Sequence, residues 1–222
     1  MLPDFQEAFF ICEIYFLMYI VRPTYLLRKI YPKAIWRVPT SEKKIYLTFD
    51  DGPVPIITPW VLDVLKMENI QATFFCVGEN VSKNPEIYQR ILEEKHAVGN
   101  HTYNHLKGWN THGNQYVRNV IKCAEVVNSK LFRPPYGRIK NSQLALITKQ
   151  YSVIMWDVLS GDYDKNTSPE QCLVNVTDNV RNGSIIVFHD SYKAQKNMEY
   201  ALPKFIQFAK EKGFSFETLK QQ

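Results

Sequence analysis

From residue 45 onward, short apolar runs rich in β-branched and aromatic residues alternate with stretches of helical periodicity. This alternation limits the possible folds more than any other feature of the chain. Strands are expected at 45–49, 72–77, 97–100, 131–133, 152–156, 184–188 and 214–218. Helices are expected at 55–69, 84–95 (Asn84 as N-cap, Pro85 in the first turn), 114–129, 141–150 and 198–212. A further helix should start at Thr167 as its cap, with Pro169 in the first turn. Strand–helix alternation with short connections implies parallel strands covered by helices. The expected fold class is α/β, and seven such strands suit an incomplete (β/α) barrel better than an open sheet. Periodicity alone does not separate the two. No repeat or low-complexity linker interrupts residues 43–222, which are read as one domain behind an N-terminal segment, 1–42.

A β/α barrel gathers its chemistry at the C-terminal ends of the strands. By that rule one rim collects Asp50 and Asp51, His101 and His105, Arg133-Pro134-Pro135-Tyr136, Asp157 and Asp162, and His189-Asp190. Taken alone, Asp50-Asp51-Gly52-Pro53 reads as an ordinary turn opening. Adjacent carboxylates at a strand end, however, push one pKa up, and a bound cation relieves that cost. The convergence of five polar segments on one rim favours the functional reading over the turn.

His101 and His105 are four residues apart, a spacing that puts both rings on one face of a helical turn. Two imidazoles and a carboxylate from the first strand make three ligands and leave positions open, the arrangement of a catalytic rather than a structural metal. Such an ion lowers the pKa of bound water to roughly 7 and polarises a carbonyl. His189 can act as a general acid if Asp162 or Asp190 keeps it protonated. Arg133 can pair with the carboxylate that is not on the metal. Asp63, His96 and His112 lack such company and are read as solvated or helix-surface groups.

The net charge of +5 over 222 residues, with no block of like charge, argues against a nucleic-acid partner. Four widely spaced cysteines form no C-x-x-C pair and are read as buried thiols. Residues 8–21 are strongly apolar but shorter than the ~20 residues a membrane span needs. The run also lacks the basic flank and small-residue cleavage site of a signal peptide. With Arg22, Arg28, Lys29, Lys33 and Arg37 behind it, the segment is read as a helix packed on the domain, with peripheral membrane contact through 1–37 as the alternative. The expected location is the cytoplasm or a membrane surface, with export left open. The oligomeric state is not readable.

Thr48-Phe49-Asp50-Asp51-Gly52-Pro53, His101-Thr102-x-x-His105, Arg133-Pro134-Pro135-Tyr136, Trp156 through Asp162, and Val187-Phe188-His189-Asp190 occur in an order that resembles the polysaccharide deacetylases. These are the NodB-homology carbohydrate esterases, which include chitin, chitooligosaccharide and peptidoglycan deacetylases. The resemblance spans about residues 43–219. It implies a distorted, incomplete (β/α) barrel of seven to eight parallel strands and a divalent metal, zinc before cobalt or nickel, held by Asp51, His101 and His105. It further implies Asp50 as base, Arg133 as its orienting partner, His189 as acid tuned by Asp162, and the Tyr136 backbone N–H at the oxyanion. Pro135 and Val187 would shape the acetyl pocket. The implied reaction is removal of N-acetyl groups from amino sugars of an oligo- or polysaccharide by metal-activated water. One position departs from the family: Tyr163 stands where tryptophan usually follows Asp162, and Trp156 or Trp109 is expected to supply the aromatic wall. The rivals are an allantoinase- or imidase-like hydrolase of another C–N bond, and a non-catalytic carbohydrate-binding protein.

Overall fold

The computed structural model describes residues 21–220, so the apolar run at 8–20, Cys12 and the expectations that rest on them lie outside the described residues. Eight parallel strands form one curled sheet: β1 Lys44–Asp50, β2 Thr73–Cys76, β3 Ala97–Asn100, β4 Leu131–Phe132, β5 Ser152–Val153, β6 Val158–Leu159, β7 Ile185–His189 and β8 Ser215–Phe216. Their order is β5-β4-β3-β2-β1-β7-β6, and β8 pairs with the start of β1. The helices are α1 Tyr25–Ile30, α2 Ile57–Met67, α3 Gly78–Lys83, α4 Pro85–Glu93, α5 Gly113–Ala124, α6 Asn141–Ile147, α7 Pro169–Thr177 and α8 Gln195–Glu211. None of the described helices is long and apolar enough to cross a membrane. The expected incomplete barrel is the observed architecture.

β1 is the axis of the molecule, with β2 and β7 on its flanks. Leu47 and Phe49 are fully buried, and Phe49 stacks on Phe74 with ring centres 5.0 Å apart. Covered on both faces, such strands read as continuous apolar runs, which is why they were legible in the sequence. The region 152–159 was not. Rather than one strand at 152–156, the sheet has β5, a break around Trp156-Asp157, and β6, which crosses to pair with β7. Two-residue strands leave no periodic signal.

β5 and β6 are the two ends of the sheet, and residues 35–38 span the gap between β5 and the start of β7. Ile35 N–H donates to the Val153 carbonyl and the Ile35 carbonyl accepts from Met155 N–H, both at 2.8 Å, and Val38 N–H reaches the Gly183 carbonyl at 3.0 Å. Gly183 has φ +77, and a Cβ there would collide with the Val38 carbonyl, so glycine is required where the strap crosses. Tyr31 and Trp36 are buried beside it. Two cap details differ from expectation. Ser168, not Thr167, caps α7, its hydroxyl accepting from Gln171 N–H. Asn84 precedes α4, but its amide donates to the Pro53 and Asn80 carbonyls and does not cap. The described cysteines 76, 123 and 172 are buried free thiols.

Candidate active site

Parallel register sets the site. Asp50 lies opposite His189 across β1 and β7, Cys76 opposite Asn100 across β2 and β3, and Asn100 opposite Phe132 across β3 and β4. The residues that follow these pairs leave the sheet at one level. His101 N–H donates to the Cys76 carbonyl and Arg133 N–H to the Asn100 carbonyl, each at 3.0 Å. Asp51, His101, Arg133 and His189 therefore emerge around one mouth, where they and Asp50 line a cavity of about 470 Å³.

Asp51, His101 and His105 bring ligand atoms within 4.8 Å of one another. His105 Nε2 is 3.0 Å and His101 Nε2 3.8 Å from Asp51 Oδ1. The donor set suits a divalent metal. His101 Nδ1 meets the Arg133 carbonyl at 2.8 Å, which assigns the ring proton there and leaves Nε2 as a lone-pair donor to the site. Burial, reinforced by the neighbouring His105, lowers the His101 pKa to about 4, so the ring is neutral at physiological pH. Burial alone would raise the Asp51 pKa, but the His105 hydrogen bond and the charge of His189 hold it well below the carboxylate range. The expected helical turn between the histidines is absent: Thr102 has φ 63 and His105 φ 54. Side chains replace the helix, with Asn100 Oδ1 accepting from Thr102 N–H and Asn119 Oδ1 from Tyr103 and Asn104 N–H. Asp51 itself has φ 83, and its carbonyl is held by the Asn80 amide at 2.7 Å. Strain of this kind persists where the surroundings fix it.

Asp50 faces Arg133, whose Nη1 donates to Asp50 Oδ1 at 2.6 Å and to Thr48 Oγ1 at 2.8 Å. Arg133 is 1% exposed and lies over the Phe75 ring at 4.1 Å. On the other side His189 Nδ1 is 2.8 Å from Asp162 Oδ1, and its backbone N–H donates to Oδ2 at 2.7 Å. Burial works against a charged imidazole, but the Asp162 charge and hydrogen bond prevail, with Asp51 and Asp50 adding, and raise the His189 pKa to about 9. Of the two carboxylates considered for that role, Asp162 is the partner. Asp190 turns away to Thr58 Oγ1 at 2.6 Å and the Gly52 N–H at 3.1 Å, and a Cβ on Gly52 would collide with it.

Tyr136, Val187 and Trp156 line the cavity, as does Pro134, while Pro135 is buried in the short 3-10 turn Pro135–Gly137. Tyr136 has φ 60. Trp109 is not on the wall; its Nε1 donates to the Ile139 carbonyl at 3.2 Å. Tyr163 is on the wall, edge-on to His189 with centres 4.7 Å apart. Asp157 does not share the rim. It precedes β6 at the opposite end of the sheet, fully buried, bound to Arg28 at 2.7 Å, to Arg181 through two bonds, and to Ser184 at 2.8 Å. His96 is neither solvated nor on a helix surface: it is buried, and its Nδ1 accepts from Ala72 N–H. Sequence reasoning missed Leu27, Trp36 and Leu159, which complete the apolar wall. Leu27 and Trp36 come from the N-terminal segment, where nothing but their apolar character could have flagged them.

The family model for polysaccharide deacetylase matches residues 37–154, more than half of the chain. The chain belongs to the polysaccharide deacetylase family. Among relatives of this deacetylase, a peptidoglycan-N-acetylglucosamine deacetylase of Bacillus cereus is 39% identical over 189 residues, 82% of this chain and 68% of that protein. A chitooligosaccharide deacetylase of Azorhizobium caulinodans is 32% identical over 162 residues, 69% of this chain and 77% of that protein. A crystal structure of a peptidoglycan N-acetylglucosamine deacetylase, in complex with 4-naphthalen-1-yl-N-oxidanyl-benzamide, superposes with a TM-score of 0.81 at 36% identity. That match covers 89% of this chain and 94% of the other. The deacetylase is thus a carbohydrate esterase of this fold, a hydrolase of non-peptide carbon–nitrogen bonds, and its relatives act on N-acetylated glycans.

Proposed function

We propose that the chain removes N-acetyl groups from amino sugars of an oligo- or polysaccharide, with Asp50 as general base and His189 as general acid. One observation carries the reading. A carboxylate locked to a buried arginine and an imidazole locked to a buried carboxylate face the same cavity on either side of an Asp-His-His cluster. Pairs of groups whose surroundings fix opposite proton-transfer roles are how one site does acid and base work at one pH.

Asp51, His101 and His105 would hold a divalent metal, zinc being the choice that a mixed imidazole–carboxylate set favours. The ion would supply Lewis acidity, activating water and polarising the acetyl carbonyl. Asp50, oriented by Arg133, accepts the proton of the attacking water. The Tyr136 N–H and the adjoining turn stabilise the developing oxyanion, where a lost donor costs about 3 kcal/mol in other hydrolases. His189, charged on Nδ1 by Asp162, donates from its other ring nitrogen to the departing amine. Val187 and Trp156 bound the space for the acetyl methyl and keep water from it.

The test is acetate release from chitooligosaccharides, a peptidoglycan fragment and monomeric N-acetylglucosamine by zinc- or cobalt-loaded protein, beside Asp50→Asn. Release by the wild type alone supports the reading. Silence across the panel with metal bound would turn the assignment toward a non-acetyl amide.

A further inference from the structure

Two lysines stand at the mouth of the cavity, each on a tyrosine that packs against one histidine of the candidate site. On the metal side, the Tyr136 ring lies 4.7 Å from that of His105, and Lys107 Nζ sits 5.7 Å from the centre of Tyr136. On the acid side, the Tyr163 ring lies 4.7 Å from His189, and Lys193 Nζ sits 5.9 Å from the centre of Tyr163. All six side chains line the cavity. Tyr136 is 56% exposed and the Lys193 side chain 54% exposed, so the ring and the ammonium, the latter 3.5 Å from Asp51 Oδ2, can be reached by an arriving ligand.

The other charges on the wall are largely committed. Asp50 is bound to Arg133, Asp51 belongs to the candidate metal cluster, and the Arg138 guanidinium lies over Trp109 at 5.3 Å. Asp164 adds one carboxylate, whose Oδ1 accepts the Asn166 N–H at 2.9 Å. Lys193 also stands 3.5 Å from Asp51 Oδ2, so an ammonium is drawn over the reaction centre itself. The mouth is therefore cationic on both sides of the site, with an aromatic face beneath each cation. Aromatic faces receive the apolar side of a ring, and ammonium groups beside them bind anions.

We propose that this mouth selects an acidic amino-sugar chain. Tyr136 and Tyr163 take the rings on either side of the N-acetylated sugar, and Lys107 and Lys193 receive carboxylates carried by those neighbours. The inference rests on the deacetylase reading and adds a specificity to it. Carboxylates on lactyl ethers and on uronic-type positions present the same chemistry, and the experiment separates them.

Acetate release is measured on chitooligosaccharides, on carboxymethylated chitooligosaccharides of equal length, and on peptidoglycan glycan strands that carry lactyl carboxylates. The wild type should show a higher kcat/KM, through KM, on one or both of the charged chains than on the neutral one, and whichever is preferred names the position of the carboxylate. That preference should fall as ionic strength rises. Lys107→Gln with Lys193→Gln should reduce the charged-to-neutral ratio about tenfold. Lys107→Arg, alone, should retain it. Bound metal is measured in each variant, so that a change at Lys193 is not mistaken for a change at Asp51. Equal kcat/KM on charged and neutral chains, or a ratio unmoved in the double variant, overturns the selection while leaving deacetylation intact. Release from none of the three chains overturns the deacetylase reading beneath it.

Discussion

Arg133 Nη1 and Asp50 Oδ1 are 2.6 Å apart, with the arginine 1% and the aspartate 5% exposed, so the base of the proposed reaction is one half of a buried ion pair. Desolvating two charges is costly, and the pair survives because Thr48 Oγ1 and the Met155 carbonyl also accept from the guanidinium. Stability and activity are therefore coupled at this point but can be separated by mutation.

Arg133→Met should destabilise the fold by about 3–5 kcal/mol, because it strands a carboxylate in the core. Adding Asp50→Asn removes the stranded charge and should recover a large part of that loss without restoring turnover. Urea denaturation of both variants measures the first effect and acetate release the second. An Arg133→Met protein as stable as the wild type would show that the pair is not desolvated. Asp50→Asn alone should keep its metal and lose about 10²–10⁴-fold in kcat.

The His189–Asp162 pair sets a pH dependence with a definite sign. A histidine whose pKa is raised to about 9 in the folded protein is charged below that value and loses its proton as pH climbs through it. Its contribution to stability is accordingly complete below the unfolded pKa of about 6.5 and is lost on the alkaline side. Activity that needs the charged acid should fall along the same limb. Asp162→Asn removes the largest opposing influence to burial, so the alkaline limb of kcat should move to lower pH. A pH profile unchanged in that variant would separate His189 from the acid role.

Most of this framework was legible in the chain because it depends on register. Five of the candidate residues directly end or follow an apolar run, and parallel pairing brings those ends to one level, so Asp50, Asp51, His101, Arg133 and His189 needed no tertiary information. What failed was of another kind. The two histidines converge through a loop held by Asn100 and Asn119, side-chain bonds with no periodic signature. Asp157 follows the same stretch as β5, but the chain crosses there, so it lands at the other end of the sheet. Tertiary partners decided both positions, and propensity held no information about them.

Removal of the metal should abolish turnover while sparing the fold, since the cluster sits in loops outside the two main aromatic and aliphatic cores. Acetate release should vanish on treatment with a chelator and return with zinc or cobalt. His101→Ala should lower bound metal measured by elemental analysis, because it deletes the proposed ligand whose tautomer the Arg133 carbonyl fixes. Retention of full metal by that variant would exclude His101 from the ligand set.

Asp157 joins the N-terminal segment to the barrel at a distance from the cavity, and its loss should be felt there. Its carboxylate receives Arg28 from α1 and Nε and Nη2 of Arg181, and their charge and hydrogen bonds, with Ser184, outweigh burial and hold its pKa below the usual range. The stabilisation is present above the unfolded carboxylate pKa and fades as pH falls through the lowered one. Because the arginines remain partly exposed, Asp157→Asn should cost toward the lower end of the buried-pair range, about 3 kcal/mol at neutral pH. The same change frees α1 from the sheet, and α1 carries Leu27, a wall of the cavity that Trp36 extends to within 5.9 Å of Trp156. KM for the glycan should therefore rise with little change in the pH profile of kcat, since neither Asp50 nor His189 touches Asp157. Denaturation midpoints at pH 7 and well below the unfolded carboxylate pKa of about 3.9 check the electrostatic part, where the difference between wild type and variant should shrink at the lower pH. Steady-state kinetics check the coupling, and an unchanged KM in a clearly destabilised variant would show that the strap supports the fold without shaping the cavity.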